Sequence, residues 1–428
     1  MTVVRPFSAL RYDTGKVDLS KVIVPPYDVI AADERSLFFD RDPHNAIRFE
    51  LTRDASEEAA TDYSEIAETL GAWQESGVLI REPVPAYYVL KQRFTAPDGH
   101  TLERVGFYAE LGLEEYDQGV VLPHERTLAG PKADRLKLLR AARANLSSVF
   151  LLYEDREDDL GATLESAFNG SPEHVARARD DAGVDYALAP LTDAKAIAAV
   201  QGFMAGRSSV IADGHHRYET ALAYRREQRE AGGSGQGEAP FDSTLAYFAN
   251  AYAPGSLLLP IHRVVRRGTA PDAEGWARAL PGWTCASLPA TGGSDAVSAL
   301  ASETLAKLTG RPAFVADAGD GFLHVLTRDT PLGDDLMVRV LERDVIGAVF
   351  GLSPEDIRDG AVGFPKSAER AARDVREGAG SVALYLNPVS ADDVFRVTGV
   401  GERMPQKSTF FYPKIPTGMV FRLHEASA

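Results

Sequence analysis

The hydrophobic pattern of the chain changes its period most clearly at residues 208–222. A short run rich in β-branched residues ends in Ala-Asp-Gly at 212–214, and apolar positions at helical spacing begin a few residues later. This pattern predicts a strand, a tight turn and a helix. Four polar, titratable residues fall in the predicted turn, namely Asp213, His215, His216 and Arg217.

The predicted turn has the chemistry of an anion site. A helix N-terminus offers backbone N–H groups without helical partners and the positive end of the helix dipole. Gly214 can take a positive φ or let a ligand approach closely, and Arg217 can bind two oxygens at once. The histidines can donate hydrogen bonds or carry protons, and Asp213 can bind a metal or accept a substrate proton. The plainer alternative is that Asp213 only caps the helix.

Other periodic segments predict an α/β or α+β chain that has mixed sheets with flanking helices. Residues 57–78 have helical periodicity. Two alternating runs, at 86–94 and 103–111, flank Pro97-Asp98-Gly99 and predict a β-hairpin. The apolar run at 149–153 predicts a buried strand.

Two segments near the N-terminus combine strand-like patterns with polar residues. Residues 22–30 are typical of a strand stopped by two prolines, which would hold Asp28 in a rigid geometry or simply start a helix. At 45–51, alternation places Arg48 and Glu50 on one face of a strand. A surface ion pair explains this second pattern as well as a functional site does.

Chain length and a glycine-rich stretch predict the domain organisation. At 428 residues the chain exceeds the usual size of one core, so we expect two or three domains. Residues 231–240 form the best boundary, a flexible loop or linker between a catalytic α/β domain at 1–230 and a second α/β domain at 241–428. In the second domain the pattern predicts helices at 292–308, 334–350 and 390–399, a hairpin turn at 319–321 and a strand at 381–386.

A second polar cluster follows a proline and precedes a predicted helix. His124 and Glu125 come directly after the proline, and Thr127, Lys132 and Arg135 follow them. A histidine beside a glutamate can deprotonate a nucleophile, and the cations can bind phosphate. Solvation explains the basic face of the helix equally well.

A third cluster lies near the end of the sequence. Lys407, Ser408 and Thr409 supply a cation and two hydroxyls, which suit phosphate oxygens, and the aromatic residues at 410–412 can stack on a base or fill a core. No glycine-rich loop precedes this motif as in a P-loop, and a packed edge strand is the alternative.

The net charge and the cysteine count argue against some classes of function. Lys and Arg number 46 against 62 Asp and Glu, and the net charge of −16 argues against general binding to nucleic acid or anionic membranes. The single cysteine, Cys285, allows no intrachain disulfide. Since the sequence has no signal-peptide pattern and no apolar run long enough to span a bilayer, we expect a cytoplasmic protein. The oligomeric state stays open, and a homo-oligomer is compatible with the sequence.

Four motifs, taken in order, resemble those of one family. They are Val24-Pro25-Pro26-Tyr27-Asp28-Val29-Ile30, Pro123-His124-Glu125-Arg126-Thr127, Asp213-Gly214-His215-His216-Arg217-Tyr218 and Met404-Pro405-Gln406-Lys407-Ser408-Thr409. Over nearly its whole length the chain is similar to the bacterial and archaeal family called domain of unknown function ten-fifteen. This resemblance implies a family and no particular reaction.

The central turn has a narrower resemblance. Residues 213–217 are similar to the phosphate-contacting turn of the ParB and sulfiredoxin-like superfamily, and most of all to its free serine kinases, which phosphorylate the amino acid from a nucleotide. The resemblance implies that residues 214–217 contact nucleotide phosphates and that Asp213 helps with a metal or the substrate hydroxyl. Glu125 and Glu50 are the candidates for the catalytic glutamate of those kinases.

We therefore expect a nucleotide-dependent phosphotransferase that acts on a small hydroxyl metabolite, with free L-serine as the first candidate and ATP or ADP with Mg²⁺ as donor. Arg217 and Lys407 would hold the phosphates. Asp213 would hold the metal or the hydroxyl, and Glu125 or His124, with His216 nearby, would act as the base.

Two other functions stay open. One is a metal-dependent phosphoester hydrolase with Asp213, His215, His216 and His124 as ligands, although adjacent histidines on a helix do not easily face one metal. The other is a regulator that binds a nucleotide without turning it over.

Overall fold

The computed structural model describes residues 2–53, 62–127, 129–232 and 239–424. The chain divides into two compact units. The first unit consists of Met1–Leu257, Val397–Arg403 and Pro413–Ala428, and the second of Leu258–Arg396 and Met404–Tyr412. Both units combine helices with β-sheets, so the predicted α/β class is confirmed.

The strands of the first unit are β1 (Val4–Arg5), β2 (Leu10–Tyr12), β3 (Leu79–Arg81), β4 (Tyr87–Thr95), β5 (Thr101–Gly112), β6 (Val121–Pro123), β7 (Ala144–Asn145), β8 (Val149–Tyr153), β9 (Ala176–Arg179), β10 (Asp185–Leu191), β11 (Ser209–Asp213), β12 (Ser243–Asn250) and β21 (Arg422–Leu423). Its helices are α1 (Leu19–Val22), α2 (Arg35–Arg41), α3 (Ile47–Glu50), α4 (Ile66–Glu75), α5 (Ala129–Ala142), α6 (Gly161–Glu165), α7 (Ala194–Ala205) and α8 (His215–Glu230). Short 3₁₀ helices lie at Tyr27–Val29, Tyr116–Gln118, Ser166–Phe168, Pro172–His174 and Pro240–Asp242.

A nine-stranded mixed sheet organises the first unit. Its order is β6-β11-β8-β12-β5-β4-β10-β9, and β1 pairs with β5. β8 and β12 are buried along their whole length and read as apolar runs, because the sheet is covered on both faces at these strands. On one face, Tyr218, Ala221 and Leu222 of α8 join the main core cluster. These three residues hold α8 against the sheet.

The end of the sheet at β6 positions the candidate site. β6 and β11 are parallel, with Ile211 opposite Pro123. β8 runs antiparallel to β11, and its register shifts between Ile211 and Asp213, which marks a β-bulge. Bulges of this kind re-aim side chains and are common beside functional sites. The segments that leave β6 and β11 therefore begin at the same edge of the sheet.

The elements from residue 257 to residue 412 are β13 (Leu257–Leu259), β14 (Arg263–Val265), α9 (Ala273–Ala279), β15 (Thr284–Pro289), α10 (Ser294–Ala306), β16 (Ala313–Asp317), β17 (Phe322–Thr327), α11 (Met337–Val340), α12 (Pro354–Asp356), β18 (Val362–Gly363), α13 (Ala368–Arg376), β19 (Val382–Tyr385), α14 (Ala391–Gly399) and β20 (Phe410–Tyr412), with π-helical turns at Leu341–Gly347 and Ile357–Ala361. An antiparallel six-stranded sheet of order β15-β17-β16-β19-β14-β18 forms the second unit's centre. Its core includes Val315, Leu323 and Tyr385, with Val297 from α10 and Val375 from α13.

In the structure, the boundary between the two units lies after Leu257, later than the boundary predicted from the glycine-rich stretch. β12 is a central strand of the first unit's sheet, so the first unit continues to Leu257, and two segments near the end of the chain return to it. The predicted boundary at 231–240 missed this, because pairing between distant strands leaves no local signal in the sequence. Of the predicted linker, residues 233–238 lie outside the described part of the chain.

Two local predictions were wrong. The segment predicted as a strand at 22–30 contains the end of α1 and the 3₁₀ helix Tyr27–Val29. The alternating segment at 45–51 contains α3, because five residues of alternation are too few to separate a strand from one helical turn. The hairpin of β4 and β5 is present as predicted. The helix predicted at 57–78 is shorter in the structure, where α4 spans Ile66–Glu75, and residues 57–61 of the predicted helix lie outside the described part of the chain.

Among the described residues, none of the helices has the length and apolar character needed to cross a membrane.

Candidate functional site

Two loops meet at the edge of the sheet where β6 and β11 end. His124 and Glu125 directly follow β6, and Gly214 and α8 directly follow β11. Because the two strands are parallel neighbours, these loops leave the sheet side by side. The structure thus brings together the two motifs that the sequence analysis had singled out separately.

Gly214 forms the sharp turn between β11 and α8. Its φ of 87° and ψ of 29° lie in the left-handed region, which favours glycine. Gly214 is also the N-cap of α8 and, without a side chain, gives the helix no side-chain capping bond. A Cβ at this position would lie 3.0 Å from Arg217 Nε. The turn therefore keeps the N-terminus of a 16-residue helix close to a guanidinium group.

Asp213 lies at the end of β11 between two cations. Arg217 Nη2 donates to one carboxylate oxygen at 2.6 Å, and Lys414 Nζ donates to the other. Arg217 also donates through Nη1 to the carbonyl of Ser148, the residue before β8. Burial raises the pKa of the Asp213 carboxyl, but the two cations outweigh burial and hold that pKa well below its ordinary value. Asp213 is therefore an anion that fixes Arg217 and Lys414 at the turn.

The prediction that Asp213 binds a metal does not suit this arrangement. Both of its oxygens already accept hydrogen bonds from cationic groups, and a divalent ion would have to replace them. Within the described residues, no group of three or more His, Cys, Asp and Glu side chains could hold a metal ion. The donors around Asp213 consequently do not fit Mg²⁺, and His124, His215 and His216 do not join Asp213 in a ligand set.

His124 and His215 form a buried pair across the two loops. Their ring centroids lie 4.6 Å apart in an edge-to-face arrangement, and the His124 backbone N–H donates to His215 Nε2 at 3.3 Å. His124 Nδ1 donates to the Ile211 carbonyl, so the Nδ1 tautomer of His124 is assigned from this hydrogen bond. Burial lowers the pKa of both rings, that of His215 well below its ordinary value. Both imidazoles are therefore neutral near pH 7.

Glu125 is the more accessible partner of the His124–Glu125 pair. The side chain of Glu125 is 28% exposed and that of His124 only 3%, and their nearest atoms, Oε2 and Nε2, lie 4.0 Å apart. His216, half-buried in the first turn of α8, has its pKa lowered by burial, and nearby carboxylates oppose this shift. One of these carboxylates belongs to Asp28, whose charge also acts on Arg217. Asp28 is exposed, so the rigid turn predicted after the two prolines carries a carboxylate towards this site.

Glu219 connects the two loops one turn further along α8. Its Oε2 accepts hydrogen bonds from Thr127 Oγ1 at 2.7 Å and from Lys132 Nζ at 2.9 Å. Arg403 donates through Nη1 to the Glu125 carbonyl at 3.0 Å, and its guanidinium lies 5.5 Å from the centre of the Tyr116 ring. The predicted phosphate contact Lys132 thus has a carboxylate partner in this structure.

Two other candidates have structural roles. Arg135 is buried and donates to Glu50 Oε2 at 2.8 Å, and it also contacts Asp134 and Tyr63. Glu50 is fully buried, and its other oxygen accepts a hydrogen bond from Thr417 Oγ1 at 3.0 Å. Removing a partner from such a buried ion pair leaves an uncompensated charge, so this pair stabilises the fold. The idea that Arg135 binds phosphate, or that Glu50 is a catalytic glutamate, is therefore not supported.

The Lys407-Ser408-Thr409 motif belongs to the second unit. Ser408 Oγ donates to the Pro405 carbonyl at 2.6 Å, and Lys407 has a positive φ of 58°. This arrangement is a local turn, in which the Ser408 hydroxyl already has a backbone partner. Phosphate contact by Lys407, Ser408 and Thr409 stays a prediction.

Sequence reasoning did not assign a role to three residues of the site, Lys414, Glu219 and Arg403. Glu219 could have been found, because it lies three and four residues after the two histidines and thus on the same face of the predicted helix. Lys414 and Arg403 come from distant segments that return to the first unit. Nothing in their local sequence distinguishes them from the other basic residues nearby.

Comparison with known proteins gives a family and a weak set of structural likenesses. A model of the family described as "Protein of unknown function (DUF1015)" matches residues 4–312. None of the curated proteins matches the chain.

Several solved structures match the chain at low identity and low TM-score. A free serine kinase in complex with AMP is 12% identical, with a TM-score of 0.35, and the match covers 73% of this chain and 92% of that one. A mutant of free serine kinase in complex with ADP is 10% identical, with the same TM-score of 0.35 and the same coverage of 73% and 92%. A conserved hypothetical protein from Pyrococcus furiosus is 12% identical, with a TM-score of 0.34 and coverage of 74% and 95%. Scores this low carry no argument about what this chain binds.

Proposed function

The chain belongs to the family described as DUF1015, and we propose that it is a nucleotide-dependent phosphotransferase acting on a small hydroxyl compound. The observation that carries this proposal is the junction of β11 and α8. There a left-handed Gly214 leaves the N-terminus of a long helix without a side-chain cap, and Asp213 holds Arg217 and Lys414 beside it. Backbone N–H groups, a helix dipole and two cations at one turn form a site for phosphate oxygens.

Phosphoryl transfer needs positioning and charge stabilisation more than covalent chemistry. In our proposal the first N–H groups of α8 bind the terminal phosphate. Arg217 and Lys414 stabilise the charge that builds up on the transferring group. Asp213 does not react, and it keeps the two cations in place before the nucleotide arrives.

The base in this proposal is Glu125. Its carboxylate is accessible, while the neutral His124 beside it is buried. A general base must come within hydrogen-bond distance of the substrate hydroxyl, which favours the exposed group of the pair. Asp28 is the second candidate for this role, because its charge also acts on Arg217 and His216.

The donor in our proposal is ATP or ADP, and free L-serine is the first acceptor to test. The resemblance of residues 213–217 to the turn of free serine kinases suggests both choices. The steps above do not use Mg²⁺, because both oxygens of Asp213 already accept hydrogen bonds from Arg217 and Lys414.

The test is to incubate the full-length protein with ATP or ADP and a set of hydroxyl metabolites that includes serine, and to follow phosphorus by NMR. We expect a new phosphate ester that is absent with Asp213→Asn. Release of inorganic phosphate alone, independent of any acceptor, would replace this proposal with a hydrolase. An unchanged nucleotide that nevertheless binds would replace it with a nucleotide-binding regulator.

A further inference from the structure

A cavity of about 440 Å³ lies along α8, beginning one turn after the helix starts. Its apolar lining comes from Ala133 and Leu136 of α5 and from Leu222 and Ala223 of α8. This volume lies within the range of small-molecule sites, which are typically apolar cavities with a few well-placed polar groups. A small hydroxyl metabolite would leave most of the space unfilled.

The charged residues of the cavity are mixed in sign. Lys132, Arg226 and Arg403 supply three cations, and Glu115 and Glu219 supply two carboxylates. Glu115 pairs with Arg226 and Glu219 with Lys132. Each carboxylate keeps further lone pairs that accept hydrogen bonds from hydroxyl groups, as acidic residues do from ribose in dinucleotide sites. A ligand with a flat apolar part and neighbouring hydroxyls therefore suits this lining.

The cavity begins about one turn along α8 from the proposed phosphate site, and none of Asp213, Arg217 and Lys414 lines it. Glu219 lies four residues after His215, which is about 6 Å along the helix axis. Arg403 also lines the cavity and donates to the Glu125 carbonyl at the edge of the sheet. A single extended molecule could thus have its charged end at the start of α8 and its apolar end in the cavity.

We propose that the cavity beside α8 holds the nucleoside part of the nucleotide, an assignment that rests on the proposed function. The base lies against Leu136, Leu222 and Ala223. The ribose hydroxyls face Glu219 and Glu115, and the phosphates extend to Gly214. The acceptor then binds near Glu125.

Calorimetric titration of the full-length protein with ADP and with pyrophosphate tests this assignment. Pyrophosphate has no nucleoside, so it reports on the phosphate site alone. We expect the wild-type chain to bind ADP at least tenfold more tightly than pyrophosphate. Ala223→Trp fills the cavity and should lower the ADP affinity tenfold or more, to that of pyrophosphate, without changing pyrophosphate binding.

Two further variants complete the design. Ala133→Trp fills the cavity from α5 and should have the same effect, while Ala198→Trp, at an exposed position of α7, should have none. Unchanged pyrophosphate binding shows in each case that the variant is folded.

The outcomes separate the two proposals. If Ala223→Trp and Ala133→Trp bind ADP like the wild type, the cavity assignment is wrong while the phosphate site stands. If they raise only the KM of the acceptor, the cavity holds the acceptor and the assignment is again wrong. If the wild type binds neither ADP nor pyrophosphate, the proposed function is wrong, and the cavity assignment, which depends on it, is wrong as well.

Discussion

Lys414 donates a hydrogen bond to the carboxylate of Asp213 across 201 residues of chain. The contact is fixed from both sides of the lysine. Gln92 donates to the Lys414 carbonyl at 3.0 Å, and the buried Arg104 donates to the carbonyl of Pro413. The last segment of the first unit therefore delivers one cation to the turn before α8.

Lys414→Met should lower the affinity for ADP tenfold or more, because the variant removes a charge from the phosphate site and leaves the backbone anchors of the segment intact. Isothermal titration would measure the affinity. Lys195→Met, at an exposed position on α7, is the matched control and should bind like the wild type. If Lys407→Met loses ADP binding and Lys414→Met binds ADP like the wild type, then Lys407, and not Lys414, contacts the phosphates.

Arg217→Ala should destabilise the protein as well as impair phosphate binding. Arg217 is only 11% exposed and joins Asp213 to the Ser148 carbonyl, so its loss leaves a carboxylate that is 12% exposed with one cation. We expect a loss of about 3 kcal/mol in the free energy of unfolding, measured in urea. Arg229→Ala removes an exposed ion pair from the same helix and should cost less than about 1 kcal/mol. Equal stability of the two variants would contradict the assigned role of Arg217.

Glu125→Gln should lower kcat on the order of 100-fold or more while leaving ADP affinity near that of the wild type, as expected for a general base. The measurement is the initial rate of phosphate-ester formation at saturating nucleotide. Glu173→Gln, in the exposed turn Pro172–His174, serves as the control. If Glu125→Gln keeps full activity and Asp28→Asn loses it, the base is Asp28.

The buried pair of histidines predicts a dependence of stability on pH. The pKa of His215 is lowered in the folded chain, so the unfolded chain takes up a proton that the folded one does not. The contribution of His215 to the free energy of unfolding is therefore complete above its unfolded pKa of about 6.5, and this contribution is lost as the pH falls below that value. For one proton, the free energy of unfolding changes by at most about 1.4 kcal/mol per pH unit.

Urea unfolding of the wild type and of His215→Asn between pH 7.5 and pH 5 would reveal this linkage. The stability of the wild type should fall more steeply towards acid than that of the variant. Parallel curves would mean that His215 titrates normally in the folded chain.

The sequence predicted the local parts of the site well and its distant parts poorly. The strand, turn and helix around Gly214 follow from a change of hydrophobic period and a glycine, both of which are local signals. The meeting of His124 with His215 needed the parallel pairing of β6 and β11, which no local pattern encodes. For the same reason, no local pattern indicates that Lys414 contacts Asp213.

Burial changed the roles of other charged residues. Arg135 and Glu50 were polar residues near candidate motifs, and the fold buries both as an ion pair. An amphipathic pattern does not reveal which polar residue is covered by a neighbouring segment, here the one that carries Thr417. Arg217 and Lys414, which both donate to the Asp213 carboxylate, make a metal a poor fit for this residue.

Gly214→Ala should weaken the turn, because a Cβ is unfavourable at a φ of 87° and would lie 3.0 Å from Arg217 Nε. We expect a loss of about 1–2 kcal/mol in the free energy of unfolding. Gly202→Ala is the matched control, since Gly202 is a helical residue of α7 whose added Cβ would meet nothing within 4 Å. That variant should be neutral or more stable by up to about 1 kcal/mol.

The most direct test of the central claim, that the turn between β11 and α8 binds nucleotide phosphates, is an ADP titration of the wild type, Gly214→Ala and Gly202→Ala. We predict that the wild type and Gly202→Ala bind one ADP per chain with equal affinity. Gly214→Ala should bind at least tenfold more weakly, because its Cβ occupies the space where the phosphate approaches the helix. Absence of ADP binding to the wild type, or equal binding by all three proteins, would contradict the claim.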